Sequence, residues 1–154
     1  MNGLGLVLLA VASLTAAGDV PSTPVTVTMI ALQASDESRP YFDPQLNTIR
    51  HTLADVKRNT FRKITSRQTA APYEKDTKLA INSRYALYVT PLSKEADGRV
   101  RAKVRITLAP REGGGKPINA VDTTLVIVPG NYVKIRGLKL DQGELVVLLT
   151  VSEN

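Results

Sequence analysis

From Val25 onward the chain is written in short runs whose apolar and polar positions alternate, interrupted once by a stretch with helical spacing. Val25, Val27, Met29 and Ala31 alternate with Thr26, Thr28, Ile30 and Leu32, a β-branched run that predicts a strand covered on both faces. Asp36 to Pro40 is a polar turn. Asp43-Pro44-Gln45-Leu46 then marks a helix start, because the Asp43 carboxylate can accept from unpaired backbone donors and Pro44 suits the first helical position. Leu46, Ile49, Leu53 and Val56 share one face while Arg50, Asp55 and Lys57 point elsewhere, so an α-helix is expected to about Lys57, ended by Arg58-Asn59. It is the only helix the pattern predicts.

Strand patterns dominate the remainder: Thr60 to Gln68, Lys78 to Asn82, Tyr85 to Pro91, Arg99 to Ala109, Val121 to Val128, Tyr132 to Leu140 and Glu144 to Val151. The segments between them hold turn residues, among them Gly113-Gly114-Gly115, Pro129-Gly130-Asn131 and Asp141-Gln142-Gly143. Short connections imply antiparallel neighbours, so the C-terminal two-thirds reads as a meander. Leu145, Val146, Val147, Leu148 and Leu149 leave neither face of the last strand polar, which requires cover on both sides. The helical stripe of residues 46 to 56, or a second sheet, would supply it; the alternative is a partner subunit. The expected fold is mainly β (α+β): an antiparallel sheet or sandwich of about seven to eight strands with one packed α-helix.

The pattern before Val25 differs. Leu4 to Ala17 is an apolar run ending in small residues ahead of Asp19-Val20-Pro21, too short to span a bilayer and matching a secretory signal with a cleavage site after Gly18. Met1-Asn2-Gly3 lacks the Lys or Arg usual at the start of such a signal. The expected organisation is a signal peptide at 1–18, a flexible leader at 19–24 and a single β-rich domain at 25–154. Cleavage leaves roughly 136 residues, enough for one self-supporting core. With no cysteine, disulfides, thiol nucleophiles, thiolate metal ligands and a lipid-bearing cysteine are excluded. No later apolar run approaches spanning length.

Charge adds a preference in partners. The net charge of +6 is untouched by cleavage and favours acidic partners. In an exported protein these are an anionic polymer, lipid head groups or an acidic face of an envelope protein, not nucleic acid. Arg99, Arg101, Lys103 and Arg105 alternate with Val100, Ala102, Val104 and Ile106, which places the cations on one strand face about 6.6 Å apart. Such a row can follow an anionic polymer, and its simpler reading is a solvated face that deters edge aggregation. A second group, Arg50, Lys57, Arg58, Arg62, Lys63 and Arg67, faces one acid, Asp55. Were the two groups on one side, they would form a continuous positive patch. The candidate binding residues are therefore Arg99, Arg101, Lys103, Arg105, Arg58, Arg62 and Lys63.

Catalytic patterns are missing. His51 is the sole histidine and no serine occupies a nucleophile elbow. Gly113-Gly114-Gly115-Lys116 lacks the spacing and following hydroxyl of a phosphate loop, and Asp36, Glu37 and Asp43 lack calcium-loop spacing. No metal or cofactor is expected.

The segments Ile30-Ala31-Leu32-Gln33-Ala34-Ser35, Phe42-Asp43-Pro44-Gln45-Leu46, Asn59-Thr60-Phe61-Arg62 and Val89-Thr90-Pro91-Leu92 resemble small exported bacterial proteins of unassigned function. The resemblance covers most of the mature chain, brings no catalytic or binding residue with it, and implies a periplasmic or secreted envelope protein. The resulting expectation is a non-catalytic binding or assembly module. The competing expectations are an enzyme acting on envelope glycans or peptides, and a structural subunit or inhibitor of a larger envelope complex.

Overall fold

A computed structural model describes residues 20–153, so the expected signal peptide lies outside the described residues. The strands are β1 (Val25–Ser35), β2 (Tyr41–Phe42), β3 (Thr60–Ala71), β4 (Thr77–Ala80), β5 (Tyr85–Lys94), β6 (Val100–Leu108), β7 (Ile118–Ile127), β8 (Val133–Lys139) and β9 (Glu144–Ser152). They form a five-stranded sheet in the order β2-β3-β1-β9-β8 and a four-stranded sheet in the order β4-β5-β6-β7. Every pairing is antiparallel except that of the two-residue β2 with β3. The molecule is mainly β and sandwich-like, as the alternating pattern predicts, with nine strands instead of seven to eight. The additional strand is β2, too short to leave a periodic signal.

The two faces of β9 explain its uniformly apolar sequence. Leu145, Val147, Leu149 and Val151 join Val25, Val27, Met29, Leu87, Val89, Val104 and Ile106 in the core between the sheets. Val146 and Leu148 face the other way and pack with Leu32, Ala34 and Phe61 beneath Leu46, Ile49, Leu53 and Val56. The cover is thus internal on both sides, a sheet on one and the helical segment on the other.

That segment departs from expectation in its winding: Pro44–Leu53 is a 3₁₀ helix and ends short of Lys57. Its start is the expected one, with Asp43 Oδ1 accepting from Gln45 N at 3.0 Å and Pro44 opening the helix. The spacing of Leu46, Ile49 and Leu53 suits either winding. The tighter coil rises about 2.0 Å per residue against 1.5 Å in an α-helix, so ten residues reach further. The reach is used: Asp43 Oδ2 accepts from Lys63 N on β3, while Lys134 Nζ on β8 bonds Thr52 O and Asp55 at the opposite margin. The segment therefore crosses β3, β1, β9 and β8.

The expected meander holds for β4-β5-β6-β7 and for the β8–β9 hairpin, and fails between β3 and β4 and between β7 and β8, where the chain changes sheets. Between β7 and β8, Pro129-Gly130-Asn131 carries the chain from one sheet to the other, with Gly130 at φ +84° and its N–H bonded to Val151 O at 3.1 Å. The link, residues 128–132, is as short as a hairpin loop although it crosses at the rim of a sandwich, so length alone misassigns it. β3 also runs past the expected Gln68 to Ala71, and β7 begins before Val121.

Candidate functional site

β6 presents its cations as the alternation predicts, because Val100, Ala102, Val104 and Ile106 are buried between the sheets. Arg99 stands immediately before the strand; Arg101, Lys103 and Arg105 lie on the outward face of the four-stranded sheet. The fold itself supplies acids to three of the four. Arg99 pairs with Asp97 at 2.7 Å, Arg101 with Glu95 at 3.2 Å and Arg105 with Asp76 at 3.0 Å. Arg105 also lies 4.8 Å from the Tyr88 ring centroid, and Lys78 lies 6.0 Å from the same ring. A hydrogen bond from the Thr90 hydroxyl, with Arg105 adding to it, holds the Asp76 carboxyl below its usual range. Among the described residues Lys103 alone of the row forms no ion pair. The acids come from the turns beside β4 and between β5 and β6, positions that a strand-by-strand reading does not connect to β6.

Two cations of the second group, Arg58 and Arg62, are also compensated. Arg58 pairs with Asp36 at 2.9 Å and lies 3.7 Å from Glu144, and the Asp36 hydrogen bond raises its pKa. Arg62 pairs with Glu37 at 3.1 Å and stacks 4.6 Å from the Tyr41 ring centroid, its pKa raised chiefly by Glu37. Lys63 Nζ donates to Gln45 Oε1 at 3.2 Å. Arg136, on β8, pairs with Glu144 at 2.7 Å and is the main reason that carboxyl titrates low. Lys63 contacts the helical segment and Arg58 follows it, on the outward side of the five-stranded sheet, whereas the β6 row faces out from the four-stranded sheet. Arg58 and Lys63 thus lie on the opposite face from the β6 row, whereas Arg67 of the second group reaches the rim between the sheets, where its Nε donates to Ala80 O on β4 at 2.9 Å.

On one surface Arg58 keeps its acids while Arg50 has none. A shallow groove of about 560 Å³ lies beside the 3₁₀ helix, lined by Phe42, Asn47, Arg50, His51, Leu53, Ala54, Val56, Arg58 and Phe61. None of those lining residues is acidic. Phe42 and Phe61 tilt against each other with centroids 5.5 Å apart, and the Arg50 guanidinium lies 3.8 Å above the Phe42 ring. Arg50 Nη2 donates to Asn47 Oδ1 at 3.2 Å and forms no ion pair among the described residues. The stacked guanidinium is weakly hydrated and fixed in plane, the state in which it forms forked bonds to a carboxylate with little further ordering. Arg50 belongs to the basic group seen in the sequence, but its ring partner could not be found there: Phe42 enters the site through the two-residue pairing of β2 with β3.

A second groove of about 550 Å³ is lined by Ser35, Asp36, Glu37, Ser38, Arg58, Gln142 and Gly143, where the charges are mixed. Among the described residues no cluster of His, Asp and Glu could hold a metal ion, and no helix is long and apolar enough to cross a membrane. His51 lines the groove without a hydrogen bond to a hydroxyl or an acid among the described residues. Comparison with known protein families, characterised proteins and solved structures finds no match.

Proposed function

We propose that the protein is a non-catalytic binding module of the bacterial envelope, and that it holds a carboxylate-bearing polysaccharide in the groove of Phe42, Arg50 and Phe61. The observation that carries this reading is the Arg50 guanidinium stacked on Phe42 in a groove free of acids. Aromatic edges and aliphatic side chains suit the apolar faces of sugar rings, while Arg50 suits a uronate carboxylate. A shallow open groove accommodates a passing chain better than an enclosed small molecule. The apolar run Leu4 to Ala17 supports an exported setting, where acidic glycans are met.

Retention on an immobilised uronic-acid polymer tests the reading. Arg50→Glu is expected to weaken binding at least about tenfold, since a charge-assisted hydrogen bond contributes about 1.5–3 kcal/mol. The pair Arg101→Glu and Arg105→Glu, on the opposite face, is expected to leave most of the retention intact. Equal retention of wild type and Arg50→Glu at low salt would overturn the assignment.

A further inference from the structure

β7 is an edge strand bonded only to β6; past a bulge at Ala120, its residues 121–127 lack the devices that protect such edges. Its ten residues include Ile118, Val121, Thr123, Thr124, Val126 and Ile127, all β-branched, with Asp122 as the sole charge and no proline. The other margins are blunted. β2 has two residues and β4 four, β8 carries Lys134, Arg136 and Lys139 and is bulged near Gly137, and the open flank of β3 carries Arg62, Lys63 and Arg67. Ile118 is 61% exposed and Val126 41%. The core is also thinly closed on this side. Thr123 pairs with Val104 and so points inward, yet it is exposed, and Val121, Leu125, Val133 and Ile135 are only half-buried.

We infer that β7 pairs antiparallel with β7 of a second copy of this chain across a two-fold axis at Thr124, joining the two four-stranded sheets. Charge selects both occupant and register. Asp122 forms no ion pair among the described residues, because Arg105, its neighbour on β6, is turned to Asp76. Pairing about Thr124 sets Asp122 of each copy opposite Val126 of the other, and Val126 lies opposite Arg101 on β6. Each carboxylate then stands on a rung beside Arg105 of its own copy, with Arg101 of the second copy one strand further on past Val126, both arginines also holding their own acids Asp76 and Glu95. No like charges are directly opposed, whereas an axis at Asp122 would oppose the two carboxylates. A foreign strand would need its own acid at this place; a second copy brings one.

The mass of the purified protein in solution, followed over a range of concentrations by sedimentation, is the primary measurement. A dimer is expected, and Thr124→Lys is expected to halve the mass by opposing two ammonium groups at the axis while the folded circular-dichroism spectrum is kept. Ser66→Lys, on the flank of β3, should leave the dimer unchanged. Because the chain has no cysteine, Thr124→Cys should give a covalent dimer on mild oxidation where Ser66→Cys gives none. A monomer at every concentration hands the edge to a strand of another protein and overturns the proposal. So does a dimer that survives Thr124→Lys, or failure of Thr124→Cys to cross-link.

Discussion

Gly143 is the backbone position least able to change. It sits at φ +73° in the β8–β9 turn, and a Cβ there would overlap the Ala34 carbonyl oxygen and stand 2.7 Å from the Ser35 Cβ. Left-handed geometry and a clash with β1 act together, so Gly143→Ala is expected to remove about 2–4 kcal/mol of stability, read as a lower urea midpoint. Gly130→Ala provides the comparison, since φ is +84° there but the added methyl meets open space. Only the conformational part should remain, about 1–2 kcal/mol. An equal effect at both glycines would show that the close approach to β1 contributes nothing. The sequence marks both sites as turns; it does not reveal that one turn leans on a neighbouring strand.

The 3₁₀ helix shows what periodicity can and cannot disclose. Leu46, Ile49, Leu53 and Val56 mark the buried face and make the segment one of the available covers for the apolar β9, because burial demands the same side chains under either winding. The winding escaped because it answers to distance: the segment has to reach from Lys63 on β3 to Lys134 on β8. Leu53 is 2% exposed, so Leu53→Asp would leave an unpaired charge between helix and sheet and is expected to abolish the cooperative thermal transition, a loss of more than about 4 kcal/mol. A variant with unchanged Tm would refute the packing. The same division applies to the binding surfaces. The outward face of β6 was legible from alternation, whereas its neutralisation by Asp76, Glu95 and Asp97 depends on which turns the sheet brings alongside.

Across the molecule, paired charges bind turns and helix to strands, and they make the fold sensitive to acid. Asp43 is held low by backbone donors at Gln45 and Lys63, Asp55 by Lys134, Asp76 by Thr90 and Arg105, and Glu144 by Arg136. Each folded-state pKa lies below its unfolded value, so the unfolded chain binds more protons as pH falls. The stabilisation is complete above the unfolded carboxylate range and disappears as pH drops through the folded values. Tm is therefore expected to be flat near neutrality and to fall progressively below about pH 5. A Tm that rises on acidification would contradict these pairings. Exposure keeps each pair weak, and the effect comes from their number.

The placement of β1 between β3 and β9 orders events in time. The ribosome delivers β3 soon after β1, but the other flank of β1 stays open until residues 144–152 have emerged, and with it half the floor on which Leu46, Ile49 and Leu53 must settle. Closure thus waits for β9, and a chain halted short of it would expose the greasy spine of the sandwich to any chaperone or protease within reach.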